Sequence, residues 1–200
     1  LCLEGMVYFG MLTGTLSAVA MEGWPAAIAI PLMFIAAFAG GALLAAICNF
    51  LKRKFDLDVM MSSLMLANVV FYLIFMLVEG PLRDMESGQG VTTKAIPEAF
   101  RFGRILEPSD LNTTLFLALA LAVIVYFALK RSRVGYEIRM TGQSPAFARY
   151  GGVSTAAVAS LAMIFSGGLS GIGGMTYVLS TSFRVRNQLC GIGWSGLSFA

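Results

Sequence analysis

The sequence contains no histidine and only 12% charged residues, and both shortages exclude large classes of protein. Without histidine, the chain lacks the side chain that most often serves as a general base or metal ligand near neutral pH. The low charge excludes a soluble globular domain, in which about a quarter of the residues are charged. A Gly-x-Ser-x-Gly nucleophile motif and a Gly-x-x-x-x-Gly-Lys-Ser/Thr phosphate loop are also missing. We therefore expect neither an enzyme nor a bound metal or cofactor.

The sequence also contains only three cysteines and has a small net charge. Cys2, Cys48 and Cys190 are separated by distances that fit no metal-ligand motif, and we interpret them as small apolar residues. The net charge is only +3, and the basic residues lie in short connections beside apolar runs, so the sequence does not indicate nucleic-acid binding.

Hydrophobic residues, in contrast, make up 58% of the chain and form long runs. A membrane-spanning helix needs about 20 predominantly apolar residues. The runs predict an all-α, polytopic transmembrane helix bundle with about five full spans and the start of a sixth. The predicted spans are residues 5–21, 26–50, 59–78, 115–129 and 153–182, and residues 191–200 begin the sixth.

These spans differ in character. The first has few large apolar residues and carries Gly10 and Gly14 at small-xxx-small spacing, so we expect it to pack inside the bundle. Pro31 is expected to break the second span early. The fourth is nearly all Leu, Ala, Val and Ile, which predicts a peripheral, lipid-facing helix. The glycine-rich run at residues 166–174 permits a break, a kink or a very close helix approach.

The polar connections predict the sidedness of the chain. Lys52–Lys54 and the basic residues of 130–152 are expected on the cytoplasmic side, because short loops rich in Lys and Arg are rarely translocated. The polar connection 79–111 is then an external loop. Within 130–152, Ser144 can cap a short helix, Pro145 fits its first turn, and Gly151 can end it in a left-handed conformation.

The segment GYEIRMTGQSPAFARYGG (residues 135–152), followed by FSGGLSGIGG (165–174), resembles the permease subunit of bacterial ABC importers for branched-chain amino acids, simple sugars and nucleosides. The resemblance implies one transmembrane permease domain over residues 1–200, incomplete at both ends, in a bacterial inner membrane. It also implies that residues 130–152 form a cytoplasmic loop that docks the ATPase. The implied coupling residues are Gly135, Arg139, Gly142, Pro145, Ala146, Ala148, Arg149, Tyr150 and Gly151.

Three further segments resemble the nucleoside and simple-sugar branch of this family: residues 1–10, 51–68 and 191–200. Within the first, Cys2 and Met6 replace the family's usual Gly and Gln. The resemblance favours a nucleoside or simple sugar as the solute, with a branched-chain amino acid as the alternative. Residues expected in the translocation pathway or in subunit packing are Glu4, Gly5, Gly10, Ser62, Ser63, Asn68, Ser166, Gly167 and Gly171.

The implied partners follow from the same resemblance. ATP would be bound by separate ATP-binding cassette subunits, and a second permease, identical or different, would complete the pathway. An extracytoplasmic binding protein or lipoprotein would deliver the solute. A different class of protein, an ion-coupled secondary transporter, would need acids deep within its spans, and only Glu4, at the edge of the first span, is a candidate.

Overall fold

The computed structural model describes residues 3–21, 24–80, 93, 96 and 114–183, and these residues are almost all helical. In this part of the chain seven helices follow one another, and a π-helical turn, Val178–Ser182, extends the last of them. The helices are α1 (Leu3–Ala20), α2 (Ala26–Phe55), α3 (Val59–Glu79), α4 (Thr114–Arg131), α5 (Arg133–Gln143), α6 (Pro145–Tyr150) and α7 (Thr155–Tyr177).

Helices α1, α2 and α7 pack against one another and form the core of the bundle. Helices α1 and α7 are parallel, because the same order of residues pairs along both: Met6 with Gly167, Gly10 with Gly171 and Gly14 with Met175. Helix α2 runs antiparallel to α7, since its successive contacts move backwards along α7: Ala37 with Gly171, Gly41 with Gly167 and Asn49 with Ser160. This arrangement fits direct succession of α1 and α2 and two membrane crossings, α3 and α4, between α2 and α7.

Helix α2 is continuous over 30 residues, so the expectation that Pro31 breaks it was wrong. A proline removes one backbone hydrogen bond, but the many remaining bonds and the packing on α1 and α7 maintain the helix. At 1.5 Å per residue it reaches about 45 Å, and it continues through Lys52–Lys54 to Phe55. Asp56 ends it with a left-handed φ of 51°, and the Asp58 carboxylate caps α3 by accepting from the Met60 N–H at 2.9 Å.

Four helices of the described part are long and apolar enough to cross a membrane: α2, α3, α4, and α7 with its π turn. Helix α1, with 18 residues, lies inside the bundle as predicted, and its buried side chains include Met6, Met11 and Leu12. The predicted all-α helix bundle is therefore confirmed. The expected sixth span at residues 191–200 lies outside the described residues and stays a prediction.

Helix α4 contrasts with this core because none of its residues is buried. This confirms the prediction of a peripheral helix. Its neighbour across the bundle is α7, and the two are separated by an apolar groove of about 520 Å³. The groove lining includes Ala118, Ala122 and Leu129 on α4 and Leu169 and Gly173 on α7.

Most of the connection 79–111 lies outside the described residues. Its external position stays a prediction. Of its four described residues, Glu79 and Gly80 are exposed at the end of α3, while Thr93 and Ile96 are buried. The Ile96 N–H donates to the Phe183 carbonyl at 3.0 Å. This part of the connection therefore lies at the carboxyl end of the α7 segment, at the opposite end of α7 from residues 130–152.

Candidate functional site

The connection from α4 to α5 is a tight elbow, which we define as residues 128–135. Ser132 caps α5 by accepting from the Gly135 N–H at 3.0 Å, and its own hydroxyl donates to the Ala128 carbonyl. Gly135 is buried, and a Cβ at this position would lie much closer than 3.0 Å to the Leu129 carbonyl oxygen. Only glycine fits this approach, so Gly135 fixes the direction in which α5 leaves α4.

A single serine joins α5 to α6. The Ser144 N–H donates to the Met140 carbonyl at 3.1 Å and closes α5, while the Ser144 hydroxyl accepts from the Phe147 N–H at 3.3 Å and caps α6. Helix α6 therefore begins at Pro145 with the predicted cap. The left-handed residue after it was predicted one position too early: Gly151 has φ −76°, and Gly152 has φ +78°.

Helix α6 presents an aromatic and basic surface. Phe147 is 64% exposed and Tyr150 is 92% exposed, and Ala146 and Arg149 are exposed beside them. Ala148, in contrast, is completely buried and packs inward. Exposed aromatic and arginine side chains are the residues that most often dominate protein–protein binding energies. The outer surface of α6 is therefore suited to contact another protein.

Backbone and side-chain bonds connect α6 directly to α7. The Val153 N–H donates to the Ala148 carbonyl at 3.0 Å. The Arg149 Nε donates to the hydroxyl of Thr155, the first residue of α7, at 3.4 Å. A force on α6 would thus reach α7 through two short links.

The remaining predicted coupling residues lie on or beside these two helices. Arg139 is exposed on α5, where its Nε donates to the Gly135 carbonyl at 3.4 Å. Gly142, Pro145 and Gly151 are also exposed. Their role in ATPase coupling stays a prediction, while their positions place them within one continuous structure, which we call the arm: α4, α5 and α6.

Four of the five glycines of α7 pack against α1 and α2 within this chain. Gly171 is at the centre, where a Cβ would collide with the Ala37 carbonyl oxygen and a Cβ on Gly10 would collide with Gly171 itself. Gly41 meets the Gly167 carbonyl in the same way. We call this contact the glycine seam, and its members are Gly10, Gly14, Gly41, Gly167, Gly168, Gly171 and Gly174.

The seam shows that the glycine-rich run makes a very close helix approach and does not break α7. Helix α7 is unbroken from Thr155 to Tyr177. Gly168 accommodates the Phe38 ring, and Gly174 fits against the Val7 carbonyl. The small-xxx-small contact predicted for Gly10 and Gly14 is confirmed, because Gly14 receives the Met175 side chain.

The other predicted pathway or packing residues are dispersed. Ser63 and Ser62 are buried on α3, and their hydroxyls bond to carbonyls of the same helical turn, Met60 and Asp58. Asn68 is exposed on α3, and its amide donates to the Leu64 carbonyl at 2.9 Å. Its expected place in the translocation pathway or in subunit packing stays a prediction.

Three further predicted residues lie at different places in the bundle. Gly5 packs on α3, where a Cβ would lie 3.0 Å from the Ala67 Cα. Ser166 is exposed on α7. The Glu4 Oε1 atom is buried without a hydrogen-bond partner among the described residues. The transport roles of Glu4, Asn68 and Ser166 stay predictions.

Sequence reasoning overlooked two features. Helix α5 was not predicted, although Ser132 as a cap and the four-residue spacing of Val134 and Ile138 are signals for a short amphipathic helix. Phe147 was also left out of the coupling residues. Its exposure depends on the direction of α6, which only the folded elbow determines.

The sequence model of one protein family matches nearly the whole chain. The family is described as the branched-chain amino acid transport system permease component, and the match covers residues 1–199. The chain belongs to this family. It is a multi-pass membrane protein, and the family expected from residues 135–152 and 165–174 is confirmed.

Three curated relatives are similar over nearly the whole chain. The glucose ABC transporter permease TsgB13 of Haloferax volcanii is 29% identical over 98% of the chain and 54% of its own length. The guanosine ABC transporter permease NupP of Bacillus subtilis is 26% identical over 98% of the chain and 57% of its own length. The nucleoside ABC transporter permease NupB of Lactococcus lactis is 25% identical over 99% of the chain and 57% of its own length.

The chain thus spans about half the length of the curated relatives it matches. No solved structure matches the chain.

Proposed function

We propose that this chain is a membrane-spanning subunit of an ATP-driven importer for a nucleoside or a simple sugar, in a bacterial inner membrane. The names of the three curated relatives, which are permeases for glucose, guanosine and nucleosides, support this solute class over a branched-chain amino acid. The five long helices of the described part supply the membrane-embedded scaffold such a subunit needs.

The observation that carries the proposal is the exposed surface of α6. A six-residue helix with Phe147 and Tyr150 directed outward has no packing role for those rings within the described part of the chain. In the proposal, an ATP-binding cassette subunit covers this surface and holds the ATP. The Arg149–Thr155 and Val153–Ala148 bonds then transmit its movement to α7.

Two other partners complete the proposed importer. A second permease, identical or different, forms the pathway together with this chain. A substrate-binding protein or lipoprotein delivers the solute at the end of the bundle where Ile96 and Phe183 meet.

The proposal is tested by changing the charge of the α6 surface in the assembled importer. We expect Ala146→Glu with Arg149→Glu to abolish solute uptake and the stimulation of ATP hydrolysis in proteoliposomes, while insertion is retained. Both side chains are exposed, so the fold should tolerate the change. The matched control, Leu57→Glu with Arg53→Glu, makes the same charge change at the exposed turn after α2 and should retain uptake.

Unchanged uptake and unchanged ATPase stimulation in the α6 variant would contradict ATPase docking at α6. Uptake that follows a proton or sodium gradient without ATP would replace the proposal with a secondary transporter. Competition of uptake by nucleosides, simple sugars and branched-chain amino acids, measured in the unmodified importer, identifies the solute class.

A further inference from the structure

The elbow between α4 and α5 carries an unusual concentration of unpaired positive charge. Lys130, Arg131 and Arg133 are all exposed and lie within four residues. Between residues 114 and 183 the only acidic residue is Glu137. Within the described part of the chain none of the three cations forms an ion pair with a carboxylate. Their charge is therefore available to a ligand outside the chain.

The backbone holds these cations in a defined place. Ser132 bonds on both sides of the elbow, to Ala128 and to Gly135, and Gly135 packs closely on the carbonyl of Leu129. Arg131 therefore ends one helix and Arg133 begins the next on either side of a fixed bend. A rigid bend presents charges for binding with less loss of conformational entropy than a flexible tail.

Two aromatic residues of α4, Tyr126 and Phe127, come shortly before these charges in the chain. The Lys130 Nζ lies 4.7 Å from the centroid of the Tyr126 ring, which packs edge-on against Phe127 at 5.9 Å. Both rings are 54% exposed, on a spanning helix of which no residue is buried. Tyrosine followed by lysine at the end of a spanning helix is typical of the level where the acyl chains meet the lipid headgroups.

The basic end of α2 provides an internal comparison. Lys52, Arg53 and Lys54 also number three and also follow a spanning helix. However, Asp56 and Asp58 follow within four residues and leave a local charge of +1, whereas the elbow keeps +2 after Glu137 is counted in the same way. The Lys54 Nζ is also placed over the Phe50 and Phe55 rings, 5.6 Å from each centroid. The two helix ends thus carry the same number of cations but different net charges.

We propose that the elbow is a binding site for the phosphate headgroup of an anionic phospholipid. In this site Lys130, Arg131 and Arg133 contact the phosphate, and the exposed rings of α4 contact the upper part of the acyl chains. The lipid would hold this end of α4, none of whose residues is buried, at the membrane surface. Its three cations lie in the loop 130–152 but are not among the residues expected to couple to an ATPase, so their binding of lipid can be tested without the proposed function.

The test compares lipid binding by three versions of the intact permease, purified in detergent without any ATPase. Native mass spectrometry would count phosphatidylglycerol molecules retained per permease across a lipid titration, with phosphatidylcholine as the neutral lipid. Each cation near an anionic surface contributes about 1 kcal/mol. We expect Lys130→Gln with Arg131→Gln and Arg133→Gln to weaken phosphatidylglycerol binding by roughly 100-fold.

The matched control is Lys52→Gln with Arg53→Gln and Lys54→Gln, which also removes three charges beside a span. It should change binding by less than about threefold, because two acids already offset that triplet. Equal losses in both variants, or no loss in either, would overturn the proposal. Displacement of the lipid by millimolar glycerol phosphate would also overturn it, since that result assigns the site to a soluble phosphate. Thermal unfolding of each variant confirms that it remains folded.

Discussion

Helices α7 and α4 are both long and apolar enough to cross a membrane, yet they are packed in opposite ways. Six residues of α7 are buried, four of them glycines, while none of α4 is buried. Mean hydropathy does not separate the two helices strongly, at 1.6 for the α7 segment and 1.9 for α4. The content of small residues on one face separates α7 from α4. In a membrane, close backbone approach stabilises helix pairs, because lipid solvates large apolar side chains as well as protein does.

The glycine seam and the arm also differ in what their residues contact. The glycine seam joins α1, α2 and α7 by backbone contacts that leave no room for a side chain. The arm presents its charges and aromatic rings outward and is joined to the seam mainly through the start of α7. Changes in the seam should therefore affect folding, and changes in the arm should affect partners.

The largest effect is expected from Gly171→Ala. The new Cβ would collide with the Ala37 carbonyl oxygen, which is backbone and cannot move alone. Overpacking of this kind costs about 1–3 kcal/mol or more, so the thermal unfolding temperature of the purified permease should fall by roughly 5–10 °C. Gly173→Ala is the matched control, because a Cβ there meets nothing within 4 Å. Equal unfolding temperatures for the two variants would contradict the seam.

A smaller effect is expected from Gly14→Ala, which distinguishes rigid from adaptable parts of the seam. The nearest atom to its Cβ is the Sδ of Met175, the flexible part of a completely buried side chain. We expect a loss of about 1 kcal/mol, smaller than that of Gly171→Ala. A double-mutant cycle of unfolding free energies with Met175→Val should show coupling of about 0.5 kcal/mol or more. Strict additivity would mean that the two residues are not in contact.

The smallest and most local effect is expected where the arm meets α7. Gly152 has φ +78°, a conformation that costs a residue with a side chain about 1–2 kcal/mol, whereas Gly151 has φ −76°. Gly152→Ala should therefore accelerate hydrogen exchange of the Val153 amide without moving the global unfolding temperature by more than about 2 °C. Gly151→Ala should leave that amide unchanged. Similar exchange in both variants would show that the junction does not depend on the left-handed glycine.

Local signals in the sequence predicted much of this structure. Ser144 and Pro145 predicted the start of α6, and the spacing of Gly10 and Gly14 predicted a close helix contact, because both depend on neighbouring residues only. The continuity of α2 through Pro31 and the identity of the left-handed glycine were missed. Each depends on how a helix packs against or joins others, and a single sequence does not encode that in a local pattern.

Helix α5 was missed for a different reason. Its residues are mostly polar and include Gly135, which lowers helix propensity, so no long apolar pattern marks it. The elbow compensates for this weakness with the Ser132 cap and the close packing of Gly135 on α4. Similarly, the seam needs Ala37 and Gly41 on α2, and their pairing with α7 becomes visible only in the fold.

ATPase docking at α6 requires that α5 and α6 lie on the cytoplasmic side of the membrane. Gln143 is exposed at the junction of α5 and α6, and Trp24 is exposed at the opposite end of the bundle, before α2. Each would be replaced by cysteine in a variant lacking Cys2, Cys48 and Cys190, and intact cells would be treated with a membrane-impermeant maleimide. We expect labelling at position 24 in intact cells and at position 143 only after the membrane is opened. Labelling at position 143 in intact cells would contradict ATPase docking at α6.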